Sequence, residues 1–192
     1  GDLGVEMALS TLEKLQWERP RFNHRFTFEH FGISSAQQVA RMAEVGALAS
    51  VNVYYVYELS RAFADHTLGY ERASQMSRLG SLERAGIRFA VHSDFTMAPA
   101  KPLNNAWVAA NRLNESGEVM CSNERASLDA AIKAITCNAA YVLGLEDEIG
   151  SLRWGKRADF TILEADPYDV GAEGLRDIPI WGTVFEGEKF PI

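Results

Sequence analysis

The chain has 192 residues, 47% of them apolar and 23% charged, with a formal net charge of −7, a composition that supports a sizeable soluble core. The negative balance, with no Lys/Arg cluster, argues against a nucleic-acid partner, and no apolar run approaches the roughly 18–20 residues of a membrane span. Cys121 and Cys137 show no ligand-type spacing, so neither a disulfide framework nor a zinc knuckle follows, and a reducing cytoplasm is the expected compartment.

Gly1-Asp2 opens directly into helix, with no Met and no basic-then-apolar leader, the pattern of an excised piece. Leu3 to Trp17 reads as a helix with Leu3, Met7 or Ala8, Leu12 and Leu15 on one side and Asp2 placed to cap it. Residues 24–30 alternate aromatics and end in His30, which predicts a strand. A capping box follows, Ser34 with Gln37 or Ser35 with Gln38, opening a helix that runs to about Val45, where Gly46 suits its end. Ala47 to Val53 is the next strand. Two helical pieces are expected around Glu58 to Ala64 and Glu71 to Ala85.

Ile87 to Val91 is a short, buried, β-compatible run punctuated by Gly86 and ending in His92-Ser93-Asp94. After a proline-containing loop, a helix is expected from Leu103 to Leu113 and a longer one from Leu128 to Leu143, closed by Gly144. The alternation implies a parallel sheet with right-handed crossovers, its strands near 25–30, 47–53 and 87–92 adjacent and in that order. Beyond Gly150 the style changes to short strands at Ser151-Leu152, Ala158 to Leu163 and Ile180 to Phe185, with a hairpin turn at Glu186 to Lys189. We expect an α/β unit over 1–145 and a small β appendage over 146–192.

Two strand ends therefore carry potential metal ligands, His30 and Asp94. In α/β proteins the carboxyl ends of buried strands are where ligands bind and catalytic groups project. A neutral imidazole and a carboxylate suit Zn²⁺ or a similar divalent ion. The plainer reading is that Asp94 opens the next turn, as Asp often does, and that His30 is a hydrogen-bonded structural residue. Spacing alone offers no third ligand.

Several motifs add a resemblance. Phe28-Glu29-His30, Ala49-Ser50-Val51-Asn52, His92-Ser93-Asp94-Phe95, Thr136-Cys137-Asn138-Ala139-Ala140 and Gly150-Ser151-Leu152 through Gly155-Lys156 and Ala158-Asp159-Phe160, with Asp166-Pro167 after them, resemble the C-terminal part of a metal-dependent amidohydrolase. The group in question is that of N-substituted formamide deformylase, some of whose members are described as exoenzyme regulatory proteins. Gly1-Asp2-Leu3-Gly4-Val5 is similar to the tail of the segment that follows the family's strand-five histidine.

The resemblance implies the second half of a (β/α)8 barrel plus C-terminal strands of a small β-sandwich; a whole barrel needs about 250 residues. It implies hydrolysis of a small-molecule amide- or formamide-type C–N bond by metal-activated water, with one or two divalent ions, zinc first among them. His30 would be a metal ligand, and Asp94 both a ligand and the proton acceptor, the two facing a common cleft. His92 is left to orient Asp94, touch substrate or pack. Tyr54 and Tyr55 would line a pocket or sit half-buried in a loop, and Lys101 and Asn104 would meet substrate or solvent. Asn52-Val53-Tyr54 and Thr96-Met97-Ala98-Pro99 depart from the family pattern, so the pocket is expected to differ. With the family's other ligands outside it, this chain alone is expected to be inactive, and its uncovered edges predict a homo-oligomer. The alternative is a non-enzymatic regulatory or binding protein that retains the scaffold.

Overall fold

Thr27–His30 (β1), Leu48–Asn52 (β2) and Phe89–His92 (β3) form a parallel sheet in the order β1-β2-β3 in the computed structural model, which describes residues 1–192. This is the order and direction expected from the sequence. β2, the central strand, is buried at every position. Phe28, Ala49 and Phe89 share one row, Val51 and Val91 the next; all five lie in the apolar core. The other face carries Glu29, Ser50, Asn52 and His92.

Helix α1 (Asp2–Glu18) buries Val5, Leu9 and Leu12; of the expected set, Leu12 is buried and Ala8 packs on the core. Leu3, Met7 and Leu15 are 80%, 74% and 52% exposed. Both sets have helical spacing, so periodicity could not choose between them. The buried stripe is the one that joins the core, and Arg41 on α2 (Ala36–Val45) reaches Glu6 and Glu13 beside it at 2.7 Å each. Asp2 does not cap; Gly1 holds the cap position, and the Asp2 carboxylate accepts from the Leu3 N–H and from the Arg72 guanidinium. The capping box of α2 is Ser35 with Gln38, both bonds present at 3.0–3.1 Å, and Gly46 ends the helix at φ 72°.

After β2 come a π-helical turn (Tyr55–Leu59), α3 (Ser60–His66), α4 (Tyr70–Ser74) and α5 (Leu79–Arg84). The expected helix from Glu71 to Ala85 is thus broken in two. The cause is Arg112, fully buried at the end of α6 (Pro102–Asn111). Its guanidinium donates to the carbonyls of Ser74, Met76, Ser77 and Met120 at 2.6–2.9 Å. A continuous helix would take up the first three carbonyls itself. Likewise the expected helix Leu128 to Leu143 divides into α7 (Leu128–Ala134) and α8 (Cys137–Leu143). At the break, Thr136 leaves helical geometry and its hydroxyl donates to the Ile132 carbonyl at 2.7 Å.

Phe160–Leu163 (β4), Ile180–Phe185 (β5) and Glu188–Pro191 (β6) form an antiparallel sheet in that order. Glu186 and Gly187 turn the hairpin, both at positive φ. Ser151-Leu152 is a loop rather than a strand; Lys156 ties it down through Ile149 O and Ser151 Oγ. A helix that sequence reading missed, α9 (Pro167–Gly174), is capped by Asp166 and interrupted at Gly171. The segment after it returns to α6: Trp107 Nε1 donates to Glu173 O, and Leu175 and Ile178 enter the core. No helix is long and apolar enough to cross a membrane.

At the amino end of the sheet, the Tyr141 ring of α8 lies between the guanidinium carbons of Arg25 and Arg88, 3.7 and 3.6 Å from its centroid. Arg25 also forks onto Glu146, which holds that carboxyl down to about 2 from its ordinary 4.5. A depressed folded-state value stabilises the fold above the ordinary pKa and loses that contribution as pH falls toward the folded one. Between pH 4.5 and 2, wild-type Tm is therefore expected to fall more steeply than that of Glu146→Gln, and salt should shrink the gap. Parallel Tm–pH curves would contradict the link.

Candidate functional site

The polar groups of the sheet gather at its carboxyl end. Glu29 and Ser50 are register partners, as are Asn52 and His92. The Ser50 hydroxyl donates to Glu29 Oε1 at 2.7 Å, and His92 Nε2 lies 3.0 Å from the same oxygen. That last approach is out of line with the ring N–H, so it is an electrostatic contact of carboxylate and ring, and Nε2 has no hydrogen-bond partner.

His30 reaches this group against the pleat. Strict alternation would place it with Val51 on the core face. The chain instead makes a three-residue turn around it: the Phe31 N–H donates to Glu29 O at 2.8 Å, with φ of 63° at His30 and 40° at Phe31. A γ-turn of this sign is rare and strained, and such strain gathers at functional sites. Phe31, almost fully buried against Phe28, anchors the turn. The His30 ring stands 5.1 Å from that of His92 and 6.2 Å from that of Tyr55, and its Nδ1 is buried without a partner. Gly32 makes room for Tyr55; a Cβ there would lie 2.6 Å from the tyrosine ring.

Glu29, His30 and His92 thus each offer one donor atom within 4.8 Å of the other two. Burial pushes the His92 pKa below its ordinary 6.5, opposed by Glu29 and assisted by His30, so the ring is neutral near pH 7. Neutral imidazoles beside a carboxylate form a donor set suited to a divalent transition metal.

Asp94 stands two residues past β3, exposed and at φ 53°, outside that trio of donors. Its N–H donates to His92 Nδ1 at 3.1 Å. Tyr54 is buried, and its hydroxyl accepts from Asn104 Nδ2 at 2.6 Å, which bridges β2's end to α6. Lys101 is exposed and, with Asn104, borders a cavity of about 1020 Å³ between α6–α8 and the second sheet. Leu103, Ile132, Ile135, Leu143, Ile178 and Ile180 give it apolar walls, and none of the rim residues lines it. This cavity and the chemistry are therefore in different places; the chemistry marks the site. Sequence reading missed Glu29, because parity sets it opposite His30 and only the left-handed turn removes that separation.

Residues 1–189 match the sequence model of the amidohydrolase family. N-substituted formamide deformylase of Arthrobacter pascens is 25% identical over 187 residues, covering 97% of this chain and 34% of that protein. A metal-dependent hydrolase from Pyrococcus furiosus superposes with a TM-score of 0.66 at 26% identity, over 82% of this chain and 30% of that one. A metal-dependent hydrolase from Pyrococcus horikoshii OT3 superposes with a TM-score of 0.74 at 24% identity, over 91% and 34%. The chain spans about a third of the length of the curated relatives it matches.

Proposed function

The chain belongs to the amidohydrolase family, and from that premise we propose that it is the C-terminal part of a metal-dependent hydrolase of small-molecule amide- or formamide-type C–N bonds. Residues 1–145 would be the second half of a (β/α)8 barrel and 146–192 part of a composite β-sandwich. The observation that carries the reading is His30 Nδ1, buried and unpartnered on a turn at the carboxyl end of β1, with Asp94 past the end of β3 in the same parallel sheet.

His30 and Asp94 would hold the cation, zinc being the first choice for imidazole and carboxylate donors; one or two ions are proposed for the full-length protein. When bound, such an ion lowers the pKa of water toward neutrality and polarises a carbonyl. Asp94, solvent-exposed at the rim, takes the proton of the attacking water and hands it to the leaving nitrogen. Glu29 holds negative charge beside the histidines, its oxygen oriented by Ser50. Tyr55 borders the His30 side of the rim.

Two free thiols, Cys121 and Cys137, suit the cytoplasm. Further copies of the chain are proposed as partners because α1 exposes Leu3, Met7, Leu15 and Trp17 and β1 is an edge strand. By the same reading, which assigns only His30 and Asp94 as ligands where a catalytic zinc takes three, the 192-residue chain alone is expected not to turn over substrate.

The test is formamide and amide hydrolysis by the full-length protein before and after chelation. Activity should fall at least about a hundredfold on metal removal and return with added Zn²⁺. Turnover that survives verified metal removal would overturn the reading.

A further inference from the structure

We infer that His92 is a positioning residue, which holds the Asp94 backbone in its left-handed conformation through the Asp94 N–H. The inference rests on the proposed function only in giving Asp94 a reaction to perform.

His92 Nδ1 accepts the Asp94 N–H at 3.1 Å, so in the neutral ring the proton sits on Nε2. That nitrogen faces Glu29 Oε1 at 3.0 Å, where a proton is favoured beside a carboxylate. The same oxygen is held by the Ser50 hydroxyl at 2.7 Å. The hydrogen bond from the Asp94 N–H to His92 on β3 is thus the brace, and Glu29 on β1, oriented by Ser50 on β2, adds an electrostatic contact on the other side of the ring. The His30 ring packs 5.1 Å away and closes one side.

His24 repeats the device elsewhere in the chain. Its Nδ1 accepts the Phe26 N–H at 2.9 Å while Nε2 lies 2.7 Å from Val45 O, a carbonyl that only accepts. There too a positive-φ residue, Arg25, lies in the braced segment. Two independent turns thus share one tautomer and one bond, from a histidine to the amide two residues on.

At position 94 the brace has a specific consequence. A non-glycine residue at φ 53° pays a steric cost that local hydrogen bonds must offset. Without the Nδ1 acceptor, the peptide is free to relax and the carboxylate leaves its place. His92 is thereby distinguished from His30, whose Nδ1 has no partner inside the chain.

The experiment compares His92→Phe, which keeps a ring but no acceptor, with His92→Asn, whose amide oxygen can accept the same i+2 N–H in an Asx-turn. On the 192-residue chain, amide hydrogen exchange at Asp94 is expected to quicken about tenfold in His92→Phe, the protection of one net hydrogen bond, and to stay near wild type in His92→Asn. In the full-length protein, His92→Phe should lower kcat roughly 10–100-fold, the range seen when a ligand's supporting shell is removed, with KM within about twofold. His92→Asn should recover most of that loss. Equal Asp94 exchange in wild type and His92→Phe would overturn the inference, as would an unaltered kcat in His92→Phe. An inactive wild-type parent would instead count against the proposed function, and the exchange comparison would still decide the role of His92. If His92→Phe fails to fold, His92→Asn decides alone: Asp94 exchange as fast as in unfolded chain overturns the brace.

Discussion

Replacing Arg112 by methionine is expected to cost about 3–5 kcal/mol of stability, because four buried carbonyls lose their donor at once. Four backbone carbonyls, those of Ser74, Met76, Ser77 and Met120, converge on this one guanidinium. No water-exposed surface is left to the side chain. Each stranded carbonyl costs about 1–3 kcal/mol, while methionine recovers part of the sum because burying the charge is itself unfavourable. That burial brings the Arg112 pKa down to about 10, which still leaves it protonated at neutral pH. Against a total of about 5–15 kcal/mol, the loss is large, and Tm should fall by roughly 10–15 °C. Urea denaturation measures it directly. Arg112→Lys should lose most of the same stability, since an ammonium cannot reproduce the fork. A loss below about 1 kcal/mol would mean that the loop at 75–78 holds its shape unaided.

The second large effect is expected at Asp94. In the full-length protein, Asp94→Asn should reduce kcat roughly a thousandfold, within the about 10²–10⁴ attributed to general acid–base catalysis. Asparagine has the same size, tolerates the left-handed conformation and keeps the N–H that His92 accepts, so Tm should hardly change. Loss of turnover without loss of fold is the signature of a chemical role. A kcat within tenfold of wild type would assign the proton transfer to another group, and Glu29 is the nearest carboxylate to the two histidines.

The parallel sheet was readable because β2 and β3 are apolar runs bounded by Gly46 and Gly86, whose positive φ only glycine adopts without strain. Ser35 and Gln38 likewise carry their structure locally. What could not be read depends on contacts remote in sequence. Arg112 breaks a helix some 35 residues before it, and the buried stripe of α1 is the one that meets a core assembled from remote elements. The candidate site shows the same division. His30 and Asp94 follow from strand-end position and motif, but the meeting of His30 with Glu29 and His92 depends on a turn whose sign no residue announces. Phe31 stabilises that turn from within the core, through aromatic packing that only the folded chain assembles.

Gly32 carries a consequence for which substitutions the rim will accept. The position is only half-buried, where most side chains would ordinarily be tolerated. The Tyr55 ring nevertheless occupies the space of its missing Cβ, so even alanine must lift the tyrosine from its place beside His30. Tyr55 opens the π-helical turn after β2, which couples residue 32 sterically to residue 55: a larger residue at 32 calls for a smaller one at 55. Selection on one loop of the rim is thereby transmitted to the next, through a contact that involves no charge, no hydrogen bond and no ligand.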